Sequence, residues 1–359
     1  MDDVLLVGYG AVGVIYAYII QHSGHARVTV VARSNYEAAK NGQIVINSDT
    51  LGKIIDFKPY RVVASVDEAA DRPYKYVVVC TKAMPDVLPT SKLLAPLLAP
   101  SYTHPQPTYV LIQNGLGVEK DLYAKLLECE PSVAPQIITC AVFIVTQMNG
   151  NVVNNLNVVP RLEIGIYAPA GGADPTSTHT ASNMTEFITM LEAGGSAAVV
   201  VPNVQAAKFN KNLLNVVIGI ASGLTRVPVP FYLVTPEAWA KSYPFLLAIG
   251  TEVISVGRAL GFSEKDLPSS KAQDTLDFLR SLNKDPNANI KPSLLMDIEA
   301  GRSFELEVIL GDIVRAGQSL GVPIPLLGAS YTMLSITQAY ILRAPAPPPS
   351  VTPSNPKAD

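Results

Sequence analysis

The stretch VLLVGYGAVG, residues 4–13, decides how this chain is read. A short apolar run, Val4 to Val7, ends in Gly8, Gly10 and Gly13, the G-x-G-x-x-G spacing. The next residues, VIYAYIIQHSG (14–24), have the length and apolar content of a helix packed on a sheet. Each glycine has its own physical role. Gly8 permits a tight turn out of the strand, Gly10 lets a pyrophosphate approach the backbone, and Gly13 lets the helix lie close to the strand. The unpaired N–H groups at the helix start, those of Ala11, Val12 and Gly13, then face the phosphates at the positive end of the helix dipole.

Working outward, a second apolar strand spans 27–32, and its end is where a dinucleotide-binding protein selects its ribose. A site for NAD carries Asp or Glu there. This chain has Arg33, followed by Ser34 and Asn35. A cation with small polar donors suits a 2′-phosphate, which predicts NADPH as cofactor, with Arg33 as a cofactor-binding residue.

Composition sets the bounds. At 359 residues the chain predicts two domains and a tail. Charged residues make up 16% and hydrophobic residues 48%, so a large core is expected. A net charge of −3 without a basic cluster gives no reason to expect nucleic acid or an anionic membrane as partner. Cys80, Cys129 and Cys140 have no metal-like spacing, and with a strand beginning almost at Met1 they predict reduced thiols in a cytoplasmic protein. The run LLNVVIGIASGL (213–224) is too short for the roughly 20 residues that a membrane span needs, and reads as a buried helix.

Strand signals continue after Arg33. Residues 43–47 and 53–57 predict a hairpin inserted in the sheet, with the turn at 49–52. YKYVVVC (74–80) predicts a buried parallel strand followed by Thr81-Lys82, and the strand at 109–112 ends in Gln113-Asn114-Gly115. A proline-interrupted helix at 87–98 lies between them. Alternating strands and helices imply a parallel sheet, whose ligands lie off the carboxyl ends of its strands. Thr81-Lys82 and Gln113-Asn114-Gly115 both fall at such ends. Short strands fill 137–167, a Gly/Ser/Thr-rich stretch at 171–182 predicts a mobile loop, and a helix (184–193) and strand (197–201) follow. After Pro202 helical periodicity takes over. The predicted architecture is α/β: an N-terminal Rossmann-type dinucleotide-binding domain (1–202) followed by an all-α C-terminal domain (203–342). Residues 343–359 are Pro-rich and predicted disordered.

The helix after Pro202 carries the chemistry. Lys211, Asn215 and Gly219 recur every four residues and line one face, with Lys208 one turn before Lys211 on roughly the same face. A lysine and an asparagine on a core-like stripe are costly unless they face a cleft. A reductase needs an acid for the alkoxide that forms when hydride reaches a carbonyl, and a lysine of lowered pKa can serve. A second cluster, KPSLLMDIEAGRSFELEVILG (291–311), offers Ser293 at the opening of one helix and Glu305 in the first turn of the next. On spacing alone these also fit an N-cap and a dipole-favoured carboxylate. The four histidines fall in loops or at an element end.

Taken together, the 8–13 turn, Arg33, Thr81-Lys82, Gln113-Asn114-Gly115, Lys211-x-x-x-Asn215 and Ser293…Asp297…Arg302…Glu305 resemble the ketopantoate reductase (2-dehydropantoate 2-reductase) family over roughly residues 4–335. The CTKAMPD stretch (80–86) and Pro-rich tail look most like fungal members. The resemblance implies an all-α C-terminal domain of the 6-phosphogluconate dehydrogenase C-terminal-like kind, with NADPH and a 2-oxo acid or ketone in a cleft between the domains. It implies Lys211 as general acid, Glu305 binding substrate and ordering the lysine, and Asn215 and Ser293 binding substrate. Lys82 and Asn114 would face the nicotinamide and the reacting centre. Three positions depart from the family pattern: Phe209 replaces a tryptophan, Gly219 a second asparagine, and Phe304 a hydroxyl residue. The cofactor half is kept and the substrate half altered. That admits three functions: reduction of 2-dehydropantoate to pantoate, reduction of a larger carbonyl, and non-redox binding of NADP(H). For assembly, the expectation is a homodimer.

Overall fold

The computed structural model describes residues 1–130, 134–156, 159–169 and 178–343. Its strands are β1 (Asp2–Val7), β2 (Ala26–Val31), β3 (Val45–Ser48), β4 (Gly52–Ile54), β5 (Arg61–Val63), β6 (Tyr76–Val79), β7 (Thr108–Leu111), β8 (Ile137–Phe143), β9 (Thr146–Asn149), β10 (Val152–Asn155), β11 (Arg161–Ile166) and β12 (Ala197–Val200). Eight of them form one sheet in the order β12-β11-β8-β7-β6-β1-β2-β5. All neighbours in it are parallel except β11 with β8. From β1 the chain steps to β2 and β5 on one side, then crosses to β6 on the other. The order therefore reverses between β1 and β6.

Central parallel strands are covered on both faces, so their sequences are continuously apolar rather than alternating. Val4 to Val7 are at most 1% exposed. Alternation survives only in which side each residue faces. Val4 and Leu6 pack with Val28, Val78 and the helix α1 (Ala11–His22). Leu5 and Val7 belong to a second cluster with Val77, Val79 and Leu111, and that cluster runs on into the helices after residue 203.

The helices up to β12 are α1, α2 (Tyr36–Lys40), α3 (Val66–Ala69), α4 (Thr90–Leu93), α5 (Ala95–Leu98), α6 (Lys120–Cys129) and α7 (Thr178–Ala193). After β12 come α8 (Val204–Thr225), α9 (Val229–Val234), α10 (Pro236–Ala259), α11 (Lys271–Leu282), α12 (Ser293–Glu299), a π-helical turn (Glu307–Gly311), α13 (Asp312–Ser319) and α14 (Pro325–Arg343). Strands thus give way to helices between Val200 and Val204. The mixed sheet followed by helices is the predicted fold class.

Two local expectations are corrected. The hairpin placed in the main sheet, now β3 and β4, instead belongs to a separate four-stranded sheet, β4-β3-β10-β9, where β3 pairs parallel with β10. A hairpin's hydrophobic pattern fixes its own register but not which edge it joins. Of the loop predicted over 171–182, the residues from Thr178 onward belong to α7 instead. The loop's remaining residues, and the tail from 344, lie outside the described residues. Among the described residues no helix is long and apolar enough to cross a membrane.

Candidate active site

The glycine-rich turn meets the end of β6 at the point where strand order reverses. Gly8 has φ +102°, and a Cβ there would lie 2.6 Å from the Thr81 amide nitrogen. A Cβ on Gly13 would lie 1.9 Å from the Gly8 carbonyl oxygen, which fixes how closely α1 approaches the turn. Gly10 differs, since a Cβ there meets nothing within 4 Å. Two glycines are thus demanded by packing and the third leaves open space, as a pyrophosphate cradle requires. No side chain caps the start of α1, so its first N–H groups remain available to an anion. Asn35 donates its amide to the Tyr9 carbonyl at 2.6 Å and holds the end of β2 against the turn. Arg33 is exposed beside it and makes no ion pair among the described residues. These features fit a 2′-phosphorylated dinucleotide, and Gly8, Gly10, Ala11, Val12, Gly13 and Arg33 are the candidates to hold it.

On the other side of the crevice, α8 begins at Asn203, whose side chain accepts from the Ala206 amide at 3.0 Å. Two turns in, Lys211 donates to Asn215 Oδ1 at 3.0 Å. Burial depresses the Lys211 ammonium to about pH 8, with the Glu305 charge opposing the shift. Glu305 is driven the opposite way. Burial raises its carboxyl to about 7, although the Ala83 amide (2.9 Å) and nearby Lys82 favour the charged form. The implied ordering of the lysine by Glu305 is therefore electrostatic, since Lys211 hydrogen-bonds Asn215 and Glu305 bonds the Ala83 backbone.

Asn114, Asn215, Gly219, Ser293, Asp297 and Glu305 share a cleft of about 100 Å³, whose apolar wall includes Ile218, Leu294 and Ile309. Four of the six predicted catalytic and substrate residues thus line one space, and Lys211 touches it through Asn215. Ser293 is not an N-cap, because Pro292 holds that position and Ser293 is exposed at the first residue of α12. Its hydroxyl is free of local capping work. Lys82 leans on α12 instead of standing free: its ammonium contacts both Asp297 oxygens at 2.6 Å. Arg302 adds a contact to Asp297 Oδ1 at 3.1 Å. Asp297 is 3% exposed, so two cations balance one buried carboxylate. Phe304, at the position of the family's hydroxyl, turns away from the cleft and is fully buried, its backbone pinned by Gln338.

Lys208 does not share the cleft face, which corrects the sequence reading. It is 2% exposed and pairs with Glu119 and with the Thr139 hydroxyl, the latter at 3.0 Å. A three-residue step rotates a helix by about 60° from the axis of the four-residue stripe, enough to move one lysine from cleft to core. Burial opposes charge on Glu119, yet Lys208 and the Thr139 hydroxyl outweigh it and hold the carboxyl below its usual range. Sequence reasoning also missed Asn212 and the π-helical turn. The amide at Asn212, on an otherwise apolar flank of α8, was a signal for the first, and nothing in the local pattern signalled the second.

A dinucleotide cradle facing a half-buried lysine and carboxyl is the arrangement of a two-part oxidoreductase. The family model for ketopantoate reductase PanE/ApbA matches residues 4–168, and its C-terminal model matches residues 203–338. The chain belongs to the ketopantoate reductase family, whose members are NADPH-dependent oxidoreductases acting on CH–OH. One relative, "Uncharacterized protein YDL144C" of Saccharomyces cerevisiae, is 25% identical over 365 residues and is covered over 95% of each chain. The crystal structure of 2-dehydropantoate 2-reductase from Methylococcus capsulatus superposes with a TM-score of 0.73 at 26% identity, covering 95% of this chain and 98% of that one. A ternary structure of D-mandelate dehydrogenase with NADH and anilino(oxo)acetate has a TM-score of 0.74 at 16% identity, covering 95% and 99%, and shares the fold.

Proposed function

We propose that this chain uses NADPH to reduce the carbonyl of a 2-oxo acid to the 2-hydroxy acid, with 2-dehydropantoate to pantoate as its reaction. The observation that carries this reading is the Lys211–Asn215–Glu305 arrangement in the cleft, a lysine brought to about 8 by burial beside a carboxyl raised to about 7. When bound, the reduced nicotinamide supplies a hydride to the carbonyl carbon. The chain's own part is to handle the oxygen and the carboxylate. The Lys211 ammonium gives its proton to the developing alkoxide, and Asn215 aims that ammonium by accepting one of its N–H bonds. A general acid works best when its pKa lies near the working pH. Asn114 approaches from the sheet side, and the Ser293 hydroxyl, which lines the cleft, receives the substrate carboxylate. Lys82, held by Asp297, keeps a positive charge beside the same cleft. The 2′-phosphate falls to Arg33, and the pyrophosphate to the turn at Gly8, Gly10, Ala11, Val12 and Gly13.

A second reading, a larger carbonyl substrate, is favoured by one observation. A Cβ on Gly219 would find only Leu294, at the ordinary contact distance of 3.5 Å, so the cleft keeps room where the family has an asparagine. A non-redox role is disfavoured, because a protein that only binds the dinucleotide has no use for the perturbed lysine and carboxyl. A homodimer belongs to the same proposal: Met333, Ile336 and Tyr340 expose an apolar stripe on α14, at 57%, 67% and 75%. A cytoplasmic setting is also proposed, supported by the free thiols of Cys80, Cys129 and Cys140.

The test is NADPH oxidation with 2-dehydropantoate beside a panel of bulkier 2-oxo acids and ketones. Saturable turnover of 2-dehydropantoate at kcat/KM of ~10⁴ M⁻¹s⁻¹ or more supports the first reading. Turnover only of bulkier substrates shifts the assignment to the second, and NADPH binding without any turnover overturns both.

A further inference from the structure

Glu305 opens directly onto the π-helical turn Glu307–Gly311. Such turns are rare and recur at functional sites. This one is the joint where three otherwise separate elements meet. The Val308 carbonyl accepts from the Leu116 amide at 2.7 Å, two residues after Asn114. Gly115 packs against Val308 so closely that a Cβ would lie 2.5 Å from Val308 Cγ2. The next carbonyl, of Ile309, accepts from the side-chain amide of Asn212 at 2.8 Å, and Asn212 is the neighbour of Lys211 on α8. Ile309 itself lines the cleft.

Asn212 is 1% exposed, and its Oδ1 is buried without a hydrogen-bond partner among the described residues. A leucine of similar size would carry no polar side-chain atom to leave unpaired at this buried position. A buried amide that is only half satisfied costs stability. What it supplies in return is one directed bond between the helix of Lys211 and the turn of Glu305.

We propose that Asn212 is a positioning residue for the reduction: its bond to the Ile309 carbonyl sets Lys211 on α8 against Glu305 at the mouth of the π-helical turn. The inference rests on the reading of Lys211 as the acid. It predicts that loss of the bond disturbs proton delivery while dinucleotide binding, which lies on the far side of the crevice, is untouched. A displacement on the order of 1 Å can cost about 10²-fold in rate.

The experiment compares wild type, Lys211→Ala, Asn212→Leu, Asn212→Ser and Asn212→Gln in the full chain, measuring kcat, KM, NADPH affinity by fluorescence titration, Tm and the solvent deuterium isotope effect on kcat. Asn212→Ser removes the bond while keeping a small polar side chain, since its hydroxyl is too short to reach the carbonyl. Expected for Asn212→Leu and Asn212→Ser is a kcat lowered about 10–100-fold, unchanged NADPH affinity and a larger solvent isotope effect as proton transfer becomes limiting. Asn212→Gln, which keeps a donor, recovers part of the loss. A wild-type kcat and isotope effect with only a lowered Tm would overturn the proposal, and so would failure of both Leu and Ser variants to fold, which marks a core residue. Those outcomes leave Lys211 as the acid if Lys211→Ala is inactive. If Lys211→Ala keeps its rate, or wild type reduces no carbonyl, the reading beneath is overturned as well.

Discussion

Lys208 and Lys211 stand three residues apart on one helix, and their surroundings give them opposite tasks. Lys208 is sealed in the core against the Glu119 carboxylate and the Thr139 hydroxyl. Lys211 is half-buried and has an amide, not a carboxylate, as its hydrogen-bond partner. Burial without a bonded counter-charge is what lowers an ammonium's pKa, whereas burial with one makes a buried ion pair. Under the proposed reaction, the same residue type serves structure on one face of α8 and proton transfer on the other. What decides between them is a rotation of about 60° around the helix axis.

The largest effects separate the two lysines by observable. Lys211→Ala should lower kcat by about 10²–10⁴, the usual contribution of a general acid, with Tm near that of wild type. Lys208→Ala should do the reverse. It strands the Glu119 carboxylate, which already has one oxygen unpartnered among the described residues. Removing one partner of a buried pair costs about 3–5 kcal/mol, read as a lower denaturant midpoint, while kcat of the folded fraction stays within about tenfold of wild type. Replacing both members, Lys208→Met with Glu119→Leu, should recover most of that stability, because an apolar pair of similar volume often matches a buried ion pair. If Lys208→Ala loses turnover as Lys211→Ala does, the acid has been placed one turn too late.

The contrast also shows which parts of the molecule a sequence can disclose. The dinucleotide turn was legible because its constraints are local. Gly8 and Gly13 are required by contacts within the turn and the adjoining strand end, and the spacing of three glycines records them. Lys211 and Asn215 were legible as residue types on a helix face, and the role of Glu305 only through family resemblance. Lys208 was misplaced because its partner Glu119 is 89 positions away, and only the packing of α8 on β8 and the loop after β7 brings them together. The hairpin itself forms, but its sheet was misread for the same reason, since β3 pairs with β10 about a hundred residues away in sequence. The role of Lys82 was half visible: the strand end was read correctly, but its clamp to Asp297 spans 215 positions.

Arg33 supplies a third cation for the comparison, exposed and unpaired among the described residues. Neither the core nor the cleft holds it, and the proposed reading assigns it the 2′-phosphate. Arg33→Asp should weaken NADPH binding by about ten- to a hundredfold, as expected for exchanging a charge-assisted contact for a repulsion, and leave NADH binding nearly unchanged. Competition titrations with the two dinucleotides measure this directly. Equal losses for both would mean that Arg33 does not read the 2′-phosphate.

The smallest expected effect is also the one that tests the Lys211 environment without a mutation. In the direction of reduction, Lys211 must hold its proton, and burial brings that proton off at about 8 instead of its ordinary value. Above that pH, kcat should fall towards tenfold per unit as the acid is lost. Glu305, raised by burial to about 7, gains a proton as pH falls. Protonation removes the negative charge that favours the Lys211 ammonium and turns a hydrogen-bond acceptor for substrate into a donor. The rate should therefore also decline on the acid side, giving a bell centred between the two values. Because the groups sense each other, its limbs belong to the pair and not to either residue. Glu305→Gln should abolish the acid limb and move the alkaline limb to lower pH, since a neutral neighbour no longer holds the proton on Lys211. Lys208→Met, if it folds, should leave both limbs where they are, because its charge is already matched in the core. A profile with no alkaline limb near 8, or one that shifts with Lys208 and not with Glu305, would reverse the roles assigned to the two faces of α8.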